Sequence, residues 1–158
     1  MALEAKVLTV SDSSHAGRST DEAGPALEDR LVGAGFAVRE RRVAPDGVES
    51  VANAVRELCE GFTGLVVTTG GTGFAPRDLT PEGTALVLDR HAPGIAEAMR
   101  AADPRGRLTR GLAGTRGSAL IVNLPGSPSG AVDSLEAVLE VIPHALELLA
   151  GGEPHRHG

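Results

Sequence analysis

The stretch of sequence that decides the fold is Val66-Val67-Thr68-Thr69-Gly70-Gly71-Thr72-Gly73-Phe74-Ala75-Pro76-Arg77-Asp78-Leu79-Thr80-Pro81-Glu82. An apolar run typical of a buried strand ends in three glycines within four residues. Glycine lets the backbone adopt positive φ and approach a ligand closely, with amide groups that can face phosphate oxygens. A helix is predicted to follow, with Thr80 as its N-cap and Pro81 in its first position. The stretch therefore predicts a strand, an anion-binding loop and a helix.

The glycine loop matches neither of the common nucleotide-binding motifs. It lacks the final glycine of the dinucleotide fingerprint, and no glycine-lysine pair follows it as in a P-loop. An ordinary tight turn is the alternative, but three glycines flanked by Thr69 and Thr72 exceed what a turn requires, so we predict ligand binding. Asp78 could be a plain loop carboxylate. At the mouth of this loop it is also a candidate ligand for Mg²⁺, which takes one or two protein carboxylates plus waters and substrate phosphates.

The composition indicates a soluble protein with an aliphatic core. The 158 residues are 41% hydrophobic but only 2% aromatic, and the formal charge is −6 with no dense basic run. Nucleic-acid binding is disfavoured because it requires a basic face. Cys59 is the single cysteine, which excludes an intrachain disulfide and a cysteine-based zinc cluster. The first strand begins almost directly after Met1, and the uncharged runs are too short to span a bilayer, so we expect a cytoplasmic protein.

Short apolar runs alternate with amphipathic segments along the chain. Strands are predicted over residues 6–10, 36–43, 65–68 and 119–124. Helices are predicted over residues 21–32, 48–60, 80–89 and 95–102, and after an N-cap at Ser129. Pro143 is predicted to kink or restart the last helix. This order predicts an α/β fold, a three-layer αβα sandwich with a mostly parallel central sheet, in which the strand beginning at Phe36 lies at an edge. We expect one domain over residues 1–152 and a disordered tail over 153–158.

Polar residues follow several of the predicted strands. Ser11 and Asp12 follow the first strand, Asp46 the second, and Pro125-Gly126-Ser127 the last. Ligands of parallel sheets bind beyond the carboxyl ends of the strands, where these loops meet. Each loop alone could be a flexible connection or a simple turn. Paired with Asp78 at one edge, Asp46 becomes a candidate second carboxylate.

Three motifs resemble those of the molybdenum cofactor biosynthesis family, which includes the bacterial molybdopterin adenylyltransferases and the gephyrin G domain. They are Thr68–Gly73, Arg77–Glu82 and Leu124–Pro128, and the likeness runs in order from about Lys6 to Gly151. The resemblance implies a three-layer α/β fold that is usually trimeric and sometimes hexameric. It also implies that molybdopterin and Mg-ATP are bound.

The reaction implied by this resemblance transfers AMP from ATP to the terminal phosphate of molybdopterin and releases pyrophosphate. Asp46 and Asp78 match the two functional aspartates of the family, with Mg²⁺ near Asp78. The loop Thr69-Gly70-Gly71-Thr72-Gly73 matches its nucleotide and pterin-phosphate contacts, and Ser127 falls in a loop that lines the same pocket. We therefore predict a binding site that also includes Ser11, Asp12, Pro125 and Gly126.

The chain departs from the family pattern at three positions. Ala23 and Thr109 each stand where serine is usual, and Gly47 stands where relatives often carry a second acidic residue. Arg110, which follows Thr109, could bind an anion or be a surface arginine. Two other functions stay open: a non-catalytic molybdopterin-binding carrier or assembly protein, and a nucleotide pyrophosphohydrolase of the same fold.

Overall fold

The structure, a computed structural model, describes residues 2–151, so the tail predicted over 153–158 lies outside the described residues. Its strands are β1 Leu3–Val10, β2 Phe36–Ala44, β3 Gly64–Thr69, β4 Arg90–His91, β5 Ala113–Arg116 and β6 Ala119–Leu124. Its α-helices are α1 Asp12–His15, α2 Ala23–Gly33, α3 Val48–Cys59, α4 Thr80–Ala85, α5 Pro93–Ala101, α6 Pro128–Glu136 and α7 Ile142–Leu149, and Pro104–Leu108 form a 3₁₀ helix. Within residues 2–151 no helix combines the length and apolar composition needed to cross a membrane.

The six strands form one sheet in the order β2-β1-β3-β6-β5-β4. The four strands β2, β1, β3 and β6 are parallel, whereas β5 runs antiparallel to β6 and β4 antiparallel to β5. The predicted mostly parallel sheet and the edge position of β2 are therefore confirmed. Val10 pairs with Ala44, and Thr69 pairs with both Thr9 and Leu124. This register brings the carboxyl ends of all four parallel strands to one edge.

Apolar side chains cover both faces of the sheet. Alternate residues of β1 point to opposite faces, so that Val7 belongs to one hydrophobic cluster and Leu8 to the other. The first cluster is completed by α2, α5, α6 and α7, with Leu135 fully buried. The second is completed mainly by α3, through Val51 and Leu58. The predicted three-layer sandwich is thus confirmed, with helices on the two faces of a single sheet.

Two predicted N-caps are wrong. Leu79, not Thr80, precedes the first turn of α4, and the Thr80 hydroxyl forms no cap. At α6 the cap is Ser127, whose Oγ accepts from the Gly130 amide at 3.2 Å, and not Ser129. Pro128 then takes the first turn, where its missing N–H costs nothing.

The helix predicted over residues 80–89 ends early, at Ala85. The Asp89 amide donates instead to the Thr115 carbonyl at 2.7 Å, at the start of the β4–β5 ladder. Neither of these short antiparallel strands is among the elements predicted from the sequence. At Pro143 the restart is confirmed, because α6 ends at Glu136 and α7 begins at Ile142.

We expect Cys59 to be inert in the folded protein. Burial in the second hydrophobic cluster, between α3 and the sheet, raises the pKa of its thiol to about 11. The thiolate is the reactive form, so the folded protein holds the thiol in its unreactive state at neutral pH. At pH 8 a chromogenic disulfide reagent should label Cys59 at least 100-fold more slowly in the native state than in denaturant. Equal labelling rates in the two states would contradict this placement.

Candidate functional site

Asp12 and Asp46 bind each other's backbone at the carboxyl edge of the sheet. The Asp12 amide donates to Asp46 Oδ2 at 3.0 Å, and the Asp46 amide donates to Asp12 Oδ1 at 3.1 Å. Both residues directly follow paired strands, since Val10 lies beside Ala44. Each carboxylate is therefore held in place by the backbone amide of the other residue.

Arg77 binds this pair from the loop that precedes α4. Its Nε and Nη2 donate to the two Asp12 carboxylate oxygens at 2.6 and 3.0 Å, and Nη2 also donates to the Asp46 carbonyl at 2.8 Å. The paired arginine holds the pKa of Asp12 below its usual value, chiefly through the hydrogen bond. Burial, together with the charges of Asp12 and Asp78, raises the pKa of Asp46. The site thus concentrates negative charge around Asp46.

The glycine loop fits between neighbouring backbone segments. Gly70 has φ +99°, and a Cβ there would lie 2.3 Å from the Val10 carbonyl oxygen. Gly71 has φ +68°, and a Cβ there would lie 2.3 Å from Thr80 Oγ1 and 3.2 Å from Asp46 Oδ1. A side chain at either position would displace the loop, so packing against Val10 and Thr80 already requires glycine here, and the close approach of a ligand stays a prediction.

The Thr80 hydroxyl is buried against this loop. It is the one buried side-chain oxygen or nitrogen within residues 2–151 that lacks a hydrogen-bond partner. The Thr80 amide donates to the Gly71 carbonyl at 3.0 Å, which ties the start of α4 to the loop. Thr80 therefore packs against the glycine loop and binds it through its amide, and its side chain does not cap the helix.

A second loop, after β6, meets the glycine loop from the other side. Thr69 Oγ1 donates to the Pro125 carbonyl at 2.6 Å, and the Gly70 amide donates to the Leu124 carbonyl at 3.1 Å. A Cβ on Gly126 would lie 3.4 Å from Gly70 Cα. The two loops are thus in direct backbone contact.

Asp78 is held close to the end of the glycine loop. Its Oδ2 accepts from the Ala75 amide at 3.0 Å and lies 2.9 Å from where a Cβ on Gly73 would stand. The side chain is half-buried. No other hydrogen bond to this carboxylate forms within the described part of the chain, so Oδ1 is available to a ligand.

Arg110 contacts the protein and not solvent alone. Its Nε donates to the Gly73 carbonyl at 2.9 Å and its Nη2 to the Asp78 carbonyl at 2.6 Å. The guanidinium also forms an ion pair with Glu82. Four of its five N–H donors are used in this way while the side chain stays 32% exposed, so these contacts add a structural role, and the two interpretations from the sequence stay predictions.

Two cavities lie at this edge, on either side of the Gly70–Gly126 contact. The larger has a volume of about 360 Å³ and is lined in part by Gly71–Gly73, Asp78 and Pro125–Ser127. The smaller has a volume of about 250 Å³ and is lined in part by Ser11, Thr69 and Gly70. Gly126 borders both.

The structure therefore places every predicted site residue at one edge of the sheet, but not all of them line a cavity. Asp12 and Asp46 line neither cavity, and Asp46 reaches the site through its contact with Gly71. The far wall of the larger cavity is not among the predicted site residues; it is formed by Met99, Asp103, Arg105, Gly106, Leu108 and Thr109 on one side and Gly130 and Ser134 on the other. Two sequence signals fall on that wall: the Asp103–Pro104 pair, which starts a turn after α5, and Thr109, which stands at a position of the family pattern.

The donor set fits a magnesium ion that completes its shell with waters and phosphates. No group of three or more His, Cys, Asp or Glu side chains in residues 2–151 could hold an ion by itself. Mg²⁺ needs only one or two carboxylates when a phosphate is present. Burial is the main cause of the raised pKa of Asp46, and the charges of Asp12 and Asp78 add to it; a cation would offset the part that comes from these charges.

We expect Asp46→Asn to be no less stable than the parent protein at pH 7. The amide oxygen can still accept from the Asp12 amide, and the charged form is the one that burial and like charges disfavour. Because the folded pKa of Asp46 is raised, its ionised form costs stability above that pKa, and the cost is relieved as the pH falls through it. Thermal denaturation should give Asp46→Asn a melting temperature at or above that of the parent protein at pH 7, and the difference should shrink as the pH falls to 4. A variant that is less stable at every pH would contradict this sign.

Comparison with known proteins gives a consistent family. Residues 6–144 match the family described as a probable molybdopterin binding domain. The chain is 36% identical over 152 residues to a molybdopterin adenylyltransferase of Helicobacter pylori, covering 92% of this chain and 86% of that protein. It spans only part of two longer relatives, 22% of gephyrin from Dictyostelium discoideum and 48% of a molybdenum cofactor biosynthesis bifunctional protein from Chlorobaculum tepidum.

Solved structures give the same picture. The crystal structure of the molybdopterin biosynthesis enzyme MoaB from Thermus thermophilus superposes with a TM-score of 0.89 at 46% identity, covering 96% of this chain and 98% of that one. A MogA structure superposes with a TM-score of 0.86 at 39% identity, covering 92% and 99%. The chain is thus similar to both paralogues.

Proposed function

We propose, from the premise that this chain belongs to the molybdopterin-binding family of molybdenum cofactor biosynthesis, that it is a molybdopterin adenylyltransferase. The observation that carries the proposal is the meeting of two aspartates with a glycine loop: Asp46 and Asp78 both approach that loop, and Asp78 lines a 360 Å³ cavity with it. Relatives named molybdopterin adenylyltransferase, at about 35% identity over most of their length, support the same reaction.

In the proposed reaction an oxygen of the terminal phosphate of molybdopterin attacks the α-phosphorus of ATP. A new phosphoanhydride bond forms, the bond between the α-phosphorus and its bridging oxygen breaks, and pyrophosphate leaves. The attacking phosphate is already ionised at neutral pH, so no general base is required. Because both reactants are anionic, catalysis rests on positioning and on neutralisation of charge.

The residues of the site divide this work between binding and orientation. Backbone amides of the loop Gly71–Gly73 hold phosphate oxygens, and Ser127 and Pro125 bound the opposite side of the larger cavity. Asp12 and Arg77 fix Asp46 through the hydrogen bonds described above. Asp78, with Asp46 close by, would hold Mg²⁺, which when bound neutralises charge on the phosphates.

A non-catalytic pterin-binding paralogue is the second candidate. It is kept because the chain is similar to structures of two different molybdopterin biosynthesis proteins, MoaB at 46% identity and MogA at 39%, so this likeness does not by itself select adenylyl transfer. Such a protein would keep the cavity and bind molybdopterin without transferring AMP.

The test is a single-turnover reaction of the purified protein with molybdopterin and Mg-ATP. Adenylylated pterin, identified by mass spectrometry at up to one equivalent per chain, is the result we expect. Pterin binding in the micromolar range without any product would favour the paralogue. Hydrolysis of ATP that does not depend on pterin would favour the pyrophosphohydrolase.

Self-association in the cytoplasm, as a trimer in the first instance, is part of the proposal. It is supported by large apolar side chains that stay exposed in the isolated chain, among them Val32 at 57% and Leu86 at 66%. Light scattering after size exclusion measures the assembly directly.

A further inference from the structure

The segment that carries Asp78 has little packing of its own. Residues 74–77 are all exposed, including Phe74 at 67%. Segments with few buried contacts open easily unless hydrogen bonds hold them. Arg77 holds the middle of the segment through Asp12 and the Asp46 carbonyl, and the position of the Asp78 carboxylate depends in addition on what ties the two ends together.

Arg110 is the residue that ties both ends. Its Nε binds the carbonyl of Gly73, where the segment begins, and its Nη2 binds the carbonyl of Asp78, where it ends. A planar guanidinium presents its donors in a fixed fork, so the separation of the two carbonyls is set by a rigid group. A lysine could reach one of the two carbonyls but not hold both.

The arginine is itself anchored on rigid parts of the fold. Its amide donates to the Thr72 carbonyl at 2.8 Å. Two residues further on, the Leu112 amide donates to Oδ1 of Asn123, a side chain that is only 2% exposed. The amide group of Asn123 donates in turn to the hydroxyls of Thr68 and Thr84. We call Arg110 with its hydrogen bonds to the Gly73 and Asp78 carbonyls the clamp. The clamp is thus connected to β3, α4 and β6.

Glu82 completes the clamp from the first turn of α4. It pairs with the guanidinium, and this contact lowers the pKa of Glu82 while raising that of Arg110. The charge of the arginine is therefore used within the protein. Arg110 is also not among the residues that line the larger cavity.

We infer that Arg110 is a positioning residue for Asp78: its guanidinium joins the two ends of the Gly73–Asp78 segment and so presents the Asp78 carboxylate to the cavity. The catalytic part of this inference rests on the proposed adenylyl transfer. The structural part does not, because the clamp exists whatever reaction the site performs.

The experiment compares Arg110→Gln and Glu82→Gln with the parent protein, and with Arg116→Gln as the matched control. Arg116 also binds a backbone carbonyl, that of Val87 at 3.0 Å, but lies at the opposite end of the sheet, next to the start of β6. In Arg110→Gln we expect kcat to fall about 10–100-fold while KM for molybdopterin stays within about threefold. Arg116→Gln should leave both parameters unchanged.

Hydrogen exchange by mass spectrometry, without substrates, supplies the second readout. In Arg110→Gln the two hydrogen-bonded amides of the segment, those of Ala75 and Asp78, should exchange at least tenfold faster, whereas those of β3 and β6 keep their protection. Glu82→Gln, which keeps the size of the side chain, should show the same local pattern at smaller amplitude, and it serves if Arg110→Gln does not fold.

Unchanged exchange over residues 74–79 in both variants would overturn the inference, as would acceleration spread evenly over the whole sheet. A rise in KM for molybdopterin with an unchanged kcat would also overturn the inference. If the parent protein forms no adenylylated pterin, the proposed function fails, and the exchange pattern still decides whether Arg110 holds Asp78.

Discussion

Replacing Asp78 by asparagine should reduce adenylyl transfer by about 10²–10³-fold without unfolding the protein. Asparagine has nearly the same shape, and its side-chain oxygen can still accept the hydrogen bond from the Ala75 amide. The change removes the negative charge that we assign to Mg²⁺ binding. Pyrophosphate release and pterin adenylylation should therefore fall together, and high Mg²⁺ should restore part of the rate.

The matched control for this variant is Asp29→Asn. Asp29 is exposed on α2, away from both cavities. The Asp29→Asn variant should transfer AMP at the parental rate. Full activity of Asp78→Asn, in a protein with a parental melting temperature, would remove Asp78 from the chemistry.

Replacing Gly70 by alanine should destabilise the protein strongly, because both its backbone conformation and the space around it are against a side chain. The residue has φ +99°, and the new Cβ would lie 2.3 Å from the backbone oxygen of Val10. The left-handed conformation costs a side chain about 1–2 kcal/mol, and forced overpacking adds about 1–3 kcal/mol. For a protein of this size we expect the melting temperature to fall by about 4–20 °C.

Gly35→Ala separates the two causes. Gly35 has a similar φ, +94°, but a Cβ there would meet no atom within 4 Å. It should lower the melting temperature by only about 2–8 °C, less than half the loss in Gly70→Ala, since only the conformational cost applies. Equal losses in the two variants would mean that the contact between Gly70 and Val10 does not matter.

The sequence predicts which loops gather at the carboxyl edge of the sheet because its signals are local. Apolar runs such as Leu65–Thr69 fix the strands, and the glycines and aspartates follow them directly in the chain. The parallel register then brings separate loops together without further information. The α/β class and the three layers could be predicted for the same reason.

The remaining parts depend on contacts that are distant in sequence. Strands β4 and β5 are short and carry no periodic apolar pattern, so only their pairing defines them. The roles of Thr80 and Arg110 are set by what lies against them, Gly71 in one case and the Gly73–Asp78 segment in the other. No single stretch of sequence contains that information.

The reaction in water enriched with ¹⁸O tests the central claim most directly. If the phosphate of molybdopterin attacks the α-phosphorus, the adenylylated pterin and the pyrophosphate both form without solvent oxygen, in equal amounts. Mass spectrometry of both products should therefore show no ¹⁸O incorporation. AMP that carries one ¹⁸O atom, formed in place of adenylylated pterin, would contradict the account, because water and not molybdopterin would then be the nucleophile.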